Sequence, residues 1–119
     1  MKLAIIASLS LIAAAGAAHA DDTLRFYSVQ GTNPNGSPYG GAAVIEATSP
    51  DTCNIVWKTG STESKGFCMR SGNILSAAYI LGEVVGLVIY EIKPDGSLQG
   101  TWTIADKPGV GTEILTPQQ

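Results

Sequence analysis

The chain has 119 residues, two cysteines, one histidine and a formal charge of −3. That length suits one domain, and at 45% hydrophobic the chain can build a core. With 14% charged residues and an acidic excess, it lacks the basic stripe that nucleic-acid binding requires.

In chain order, Met1 and Lys2 give a positive start, and Leu3 to Ala18 is a run of apolar and small residues. Ala18-His19-Ala20 then offers small residues where signal peptidase reads, and Asp21-Asp22 suits a mature N-terminus. This pattern predicts a signal peptide over residues 1–20, cleaved after Ala20, and a periplasmic or secreted protein. An uncleaved anchor is the alternative, although the run is short for a span of ~20 residues. Cleavage leaves residues 21–119 as a single β-barrel-like domain and removes His19, the only histidine. Histidine-based hydrolysis and His-ligated zinc, copper or haem are then excluded. The sequence implies no cofactor, no metal site and no integral membrane segment after cleavage.

Turn signals recur at short intervals: Asn33-Pro34-Asn35-Gly36, Ser49-Pro50-Asp51, Gly60-Ser61, Ser71-Gly72-Asn73, Leu81-Gly82-Glu83, Pro94-Asp95-Gly96 and Lys107-Pro108-Gly109. Between them lie segments rich in Val, Ile, Thr, Tyr and Trp. They predict strands over 23–30, 39–48, 53–59, 62–70, 73–81, 84–92, 97–105 and 110–116. Every connection is short enough for a hairpin. The expected fold is all-β, an antiparallel up-and-down meander of about eight strands, as a small barrel or strongly curled sheet.

Two hairpins fix their own register. A turn centred on Gly60-Ser61, where Gly-X suits type II′, sets Lys58 opposite Glu63 and Cys53 opposite Cys68. A turn centred on Asp95 sets Tyr90 opposite Gly100 and Val88 opposite Trp102, with the tyrosine ring expected to cover the glycine. The Cys53–Cys68 opposition has the geometry of a disulfide, which suits an exported chain.

Ile74 to Ile92 holds only two charges, Glu83 and Glu91. A membrane helix there would carry a central carboxylate, costing about 2.5–3.5 kcal/mol. As two strands the run is apolar on both faces: Leu75, Ala77, Tyr79 and Leu81 oppose Ile74, Ala78 and Ile80, and Val85, Leu87 and Ile89 oppose Val88, Tyr90 and Ile92. Only one face can point inward. Two-fold pairing of copies, a homodimer, would cover the other.

Among the aromatics, Trp57, Tyr79, Tyr90 and Trp102 are the candidate ligand-binding residues; ordinary core packing is the simpler account of them. The interior of so small a barrel is expected to be nearly filled, leaving a shallow mouth. The carboxylates read as solvated surface charge, with no pair spaced for acid–base work. Glu113 stands apart among small and apolar neighbours, and would meet Arg25 at the seam of a closed barrel. Asn33-Pro34-Asn35-Gly36 reads as a loop at the open end.

The patterns Tyr27-x-Val29-x-Gly31-x-Asn33-Pro34-x-Gly36-x-x-Tyr39-x-Gly41, Val56-Trp57, Asp95-Gly96-x-x-x-Gly100-x-Trp102 and Gly111-Thr112-Glu113-x-Leu115-x-Pro117 resemble a group of small exported proteins of Gram-negative, often alphaproteobacterial, bacteria. Members are often labelled fibronectin-binding protein. The Gly-x-Trp at Gly100 to Trp102 is also similar to the calycin barrels, avidins and lipocalins, although no biotin-binding residue carries over. The expected function is that of a non-enzymatic exported binding protein, for a small apolar ligand or a host or envelope protein, and the family resemblance implies a fibronectin-binding-like role. The alternatives are an envelope-associated structural protein and a barrel-type protease inhibitor. No nucleophile–base spacing supports an enzyme.

Overall fold

The computed structural model describes residues 23–118. The expected signal peptide over residues 1–20 and its cleavage after Ala20 lie outside the described residues. Eight antiparallel strands follow one another around a closed barrel: β1 (Leu24–Thr32), β2 (Pro38–Ala47), β3 (Thr52–Thr59), β4 (Thr62–Ser71), β5 (Ile74–Leu81), β6 (Val84–Ile92), β7 (Leu98–Ile104) and β8 (Gly111–Pro117). Every strand boundary lies within two residues of its expected place. Ile74 to Ile92 forms β5 and β6 rather than a helix. β8 closes on β1 from Tyr27↔Pro117 to Thr32↔Thr112.

Three of the hairpins have two-residue loops. Gly60, Gly72 and Gly82 open them with φ of 63°, 62° and 62°, while the following Ser61, Asn73 and Glu83 do not have positive φ. That is the type II′ signature, whose backbone twist matches the twist of the flanking strands. The resulting registers set Lys58 opposite Glu63, Cys53 opposite Cys68, Tyr90 opposite Gly100 and Val88 opposite Trp102, as expected. At Gly100, however, the space a Cβ would need is occupied by the Ile89 carbonyl, so the glycine admits a neighbouring backbone rather than a tyrosine ring.

The meander sorts the connections by end. Loops 33–37, 60–61, 82–83 and 105–110 gather at one end, termed the mouth. Loops 48–51, 72–73 and 93–97 gather at the other, with the outer ends of β1 and β8. The period-2 alternation sends Val29, Ala43, Ile55, Ala77, Val88, Tyr90 and Leu115 into the centre, where all are buried. Cys53 and Cys68 are disulfide-bonded, with Cα atoms 5.0 Å apart. A cross-link spanning fifteen residues contributes roughly 3 kcal/mol in the chain-entropy view.

The other side of the alternation is less usual. Phe67 and Met69 of β4, Ile80 of β5, and Val85, Leu87 and Ile89 of β6 point outward and are exposed. Registers Phe67↔Ala78↔Leu87 and Met69↔Ser76↔Ile89 place them in adjacent rows. The parity of β5 and β6 is therefore settled: Leu87 is 58% exposed and Val88 2%. In urea denaturation, Val88→Lys should cost about 3 kcal/mol or more, as an unpaired charge in the core. Leu87→Lys, on the exposed face, should cost far less than Val88→Lys. Equal losses would reverse the assigned parity.

Candidate functional site

At the mouth the barrel holds a cavity of about 280 Å³, lined by Tyr39, Trp57, Tyr79, Trp102 and Glu113, with Leu81 and Ile104 toward the loops. Its remaining lining is Asn33, Thr59, Thr62 and Ser64, so no basic side chain faces it. A second cavity of about 210 Å³ lies at the opposite end, lined among others by Tyr27, Ile45, Arg70, Leu75 and Leu98. The two share no lining residue. The buried layer of Val29, Ala43, Ile55, Val88, Tyr90 and Leu115 stands between them. The interior is thus filled at its waist and open at the mouth.

Three rings of the mouth owe their position to glycines. Tyr39 lies where a Cβ on Gly31 would be, Tyr79 where a Cβ on Gly86 would be, and Trp102 where a Cβ on Gly111 would be. A barrel of eight strands has room for about one layer of inward side chains. Each of these rings gains its space from an inward residue that has no side chain. Tyr39 and Trp102 then meet edge to face at 6.2 Å between centroids, and Trp57 and Tyr79 pack tilted at 5.2 Å.

Glu113 is the polar centre of the site. It is 6% exposed. Its Oε1 accepts from the Tyr39 hydroxyl at 2.7 Å, and its Oε2 accepts from the Trp57 indole Nε1 at 3.0 Å and from the Tyr90 hydroxyl. Trp57 Nε1 also donates to the Tyr90 oxygen at 3.1 Å. Four strands, β2, β3, β6 and β8, thereby meet at one carboxyl group. Among the described residues no buried side-chain nitrogen or oxygen lacks a partner. The ion pairs Lys58–Glu63, Lys65–Glu63 and Lys93–Glu91 lie on the outside of the barrel or in its loops.

Burial raises the pKa of Tyr39 and Tyr90 well above the ordinary phenol value, and the adjacent Glu113 raises both further through its charge and hydrogen bonds. Tyr79 is pushed up to about 12, by burial first and by the Glu113 charge second. Tyr27, in the opposite cavity, is raised by its burial. The Tyr39, Tyr79 and Tyr90 hydroxyls stay protonated near neutral pH and serve as hydrogen-bond donors, not as bases.

The candidate residues separate by depth. Trp57, Tyr79 and Trp102 line the mouth cavity. Tyr90 is 0% exposed and sits below the lining as a prop for Glu113. Asn33, at the start of the expected open-end loop, reaches the rim. Two expectations fail. Glu113 is buried rather than solvated, and it does not meet Arg25: the closing register sets it opposite Gly31, six residues further along β1. The roles of Tyr39 and Glu113 in the cavity were not visible from composition or turn spacing. Their one local signal is parity, since Gly111, Glu113 and Leu115 share a face with the core. Among the described residues no group of three or more His, Cys, Asp or Glu side chains could hold a metal ion.

No protein family and no curated protein matches the chain. Two solved structures are similar in fold. A redesigned beta barrel superposes with a TM-score of 0.71 at 16% identity, covering 79% of this chain and 90% of its own. A de novo designed fluorescence-activating beta barrel gives 0.62 at 14% identity, covering 78% and 91%. At these identities the likeness shows the closed meander and nothing further.

All four tyrosines of the chain are raised in the folded state. Above about pH 10 the unfolded chain loses phenol protons that the native chain keeps, so stability falls as pH rises. Phenolate absorbance at 295 nm should lag the denatured protein through pH 10 to 11, and then appear together with unfolding. Native and denatured curves that coincide near pH 10 would contradict the buried network.

Proposed function

We propose that the protein is a non-enzymatic, exported binding protein whose mouth cavity holds a small ligand with an apolar body. The carrying observation is the cavity itself: four aromatic rings around about 280 Å³, with one carboxyl group at the base. Large, rigid rings with a few convergent polar atoms are the usual lining of small-molecule sites. The site has one carboxyl group, protonated phenols and no histidine in residues 21–119, which favours holding a ligand over transforming it. The signal pattern and the Cys53–Cys68 disulfide support an oxidising location.

The test uses 1-aminoanthracene, a neutral apolar fluorophore. Its binding should quench tryptophan emission, since Trp57 and Trp102 are the two tryptophans of the chain and both line the cavity. Ile104→Trp, which fills the mouth, should weaken binding about tenfold or more while the fold survives. Equal binding by both proteins would place the ligand elsewhere.

A second reading concerns the outer face of β4, β5 and β6. Six large apolar side chains there are half exposed or more, and charge is confined to the edges, at Lys65 beside Ile80 and at Glu91, which follows Ile89 on the outward face of β6. A patch of this kind suits a second copy of the same face, because its centre offers no charge for an oppositely charged partner to match. Sedimentation at micromolar concentration should show a dimer that Leu87→Lys splits. A strict monomer whose Leu87→Lys variant loses capture on immobilised fibronectin would assign the face to that partner instead.

A further inference from the structure

The mouth cavity combines two features that an ordinary apolar pocket does not need. The first is a carboxyl group carried into the barrel. Glu113 is held by hydroxyl and indole donors alone, and none of the lining side chains is cationic. The chain's lysines that form ion pairs, Lys58, Lys65 and Lys93, are engaged with Glu63 and Glu91 away from the cavity. Burying a carboxylate without a cation is costly, and hydrogen-bond donors offset only part of that cost. A neutral pocket would be better served by Gln or Leu at this position.

The second feature is the wall. Tyr39, Trp57, Tyr79 and Trp102 surround the space above Glu113 in two ring pairs. Aromatic faces carry a negative quadrupole, and several around one space attract an organic cation, most strongly when water is excluded. The influence of Glu113 reaches beyond its direct partners. It raises Tyr79, which donates its hydroxyl to the Thr103 carbonyl and not to Glu113. Glu113 and the four rings thus line one space that holds no cationic side chain.

We infer that the ligand of the mouth cavity is an organic cation, a protonated amine or quaternary ammonium whose head sits among Tyr39, Trp57, Tyr79 and Trp102 above the Glu113 carboxylate. Its apolar body points outward along Leu81 and Ile104, and the Thr59, Thr62 and Ser64 side chains line the remaining wall. No covalent step is involved. The inference rests on the proposed binding function and names the chemical class of the ligand.

Isothermal titration calorimetry on the folded, disulfide-bonded protein tests it with a matched pair. Benzyltrimethylammonium carries the charge, and neopentylbenzene replaces its nitrogen with carbon at nearly the same shape. The cation should bind roughly tenfold or more tighter than the isostere. Glu113→Gln should abolish most of that preference while leaving binding of the neutral isostere in place. The wild-type comparison stands on its own if the variant fails to fold. Equal or tighter binding of neopentylbenzene by the wild type overturns the cation inference and leaves the binding cavity intact. An undiminished preference in a folded Glu113→Gln protein removes the carboxylate from it. Failure of both probes to bind overturns the cavity reading and the inference together.

Discussion

A carboxyl group inside a narrow barrel is the constraint on which the mouth depends. Glu113 must receive donors from the surrounding strands, and it receives them from β2, β3 and β6. Tyr39, Trp57 and Tyr90 are thereby fixed at their polar ends as well as by packing. A ring anchored at both ends loses little further freedom when a ligand arrives, which is the physical meaning of a pre-organised site. The same three donors tie strands that the meander does not place side by side: β2, β3 and β6 share no ladder with β8. The network braces the waist of the barrel, and the cavity above it is a consequence.

The glycines complete the arrangement. A closed eight-stranded sheet has a fixed interior, so a large ring on one strand demands absence on another. Gly31, Gly86 and Gly111 supply that absence beneath Tyr39, Tyr79 and Trp102. An alanine Cβ at any of the three would collide with its ring, and at Gly31 with the Thr112 carbonyl as well. The abundance of glycine in this chain is thus partly a record of where rings are stored. Charge follows the same logic: among the described residues the ion pairs stay outside, and the buried carboxyl group, Glu113, lies against the mouth cavity.

Much of the fold was legible because its signals are local. Turn residues fix two-residue loops, loops fix register, and register fixes which side chains share a face. The Cys53–Cys68 pair and the opposition of Val88 to Trp102 follow from that chain of inference. What lay out of reach depends on closure. Tyr39 and Glu113 are separated by 74 residues, and Trp57 and Glu113 by 56. No hairpin sets the β1–β8 register that brings them together, and a shift along that seam would pair Glu113 with a different residue of β1. Depth along the barrel was equally hidden. Parity sends Tyr79 and Tyr90 inward alike, yet one lines the cavity and the other is sealed below it.

The proposed ligand site is the mouth, built around Glu113. Nitrogen-15 NMR during titration with benzyltrimethylammonium tests it by position. Binding at the mouth should shift the Trp57 and Trp102 indole N–H signals and the amides of Tyr39, Thr59, Thr62 and Tyr79, with Leu75, Arg70 and Leu98 at the far end unmoved. Shifts gathered at that far end, or along the outward rows of β4 to β6 with both indoles silent, would contradict it.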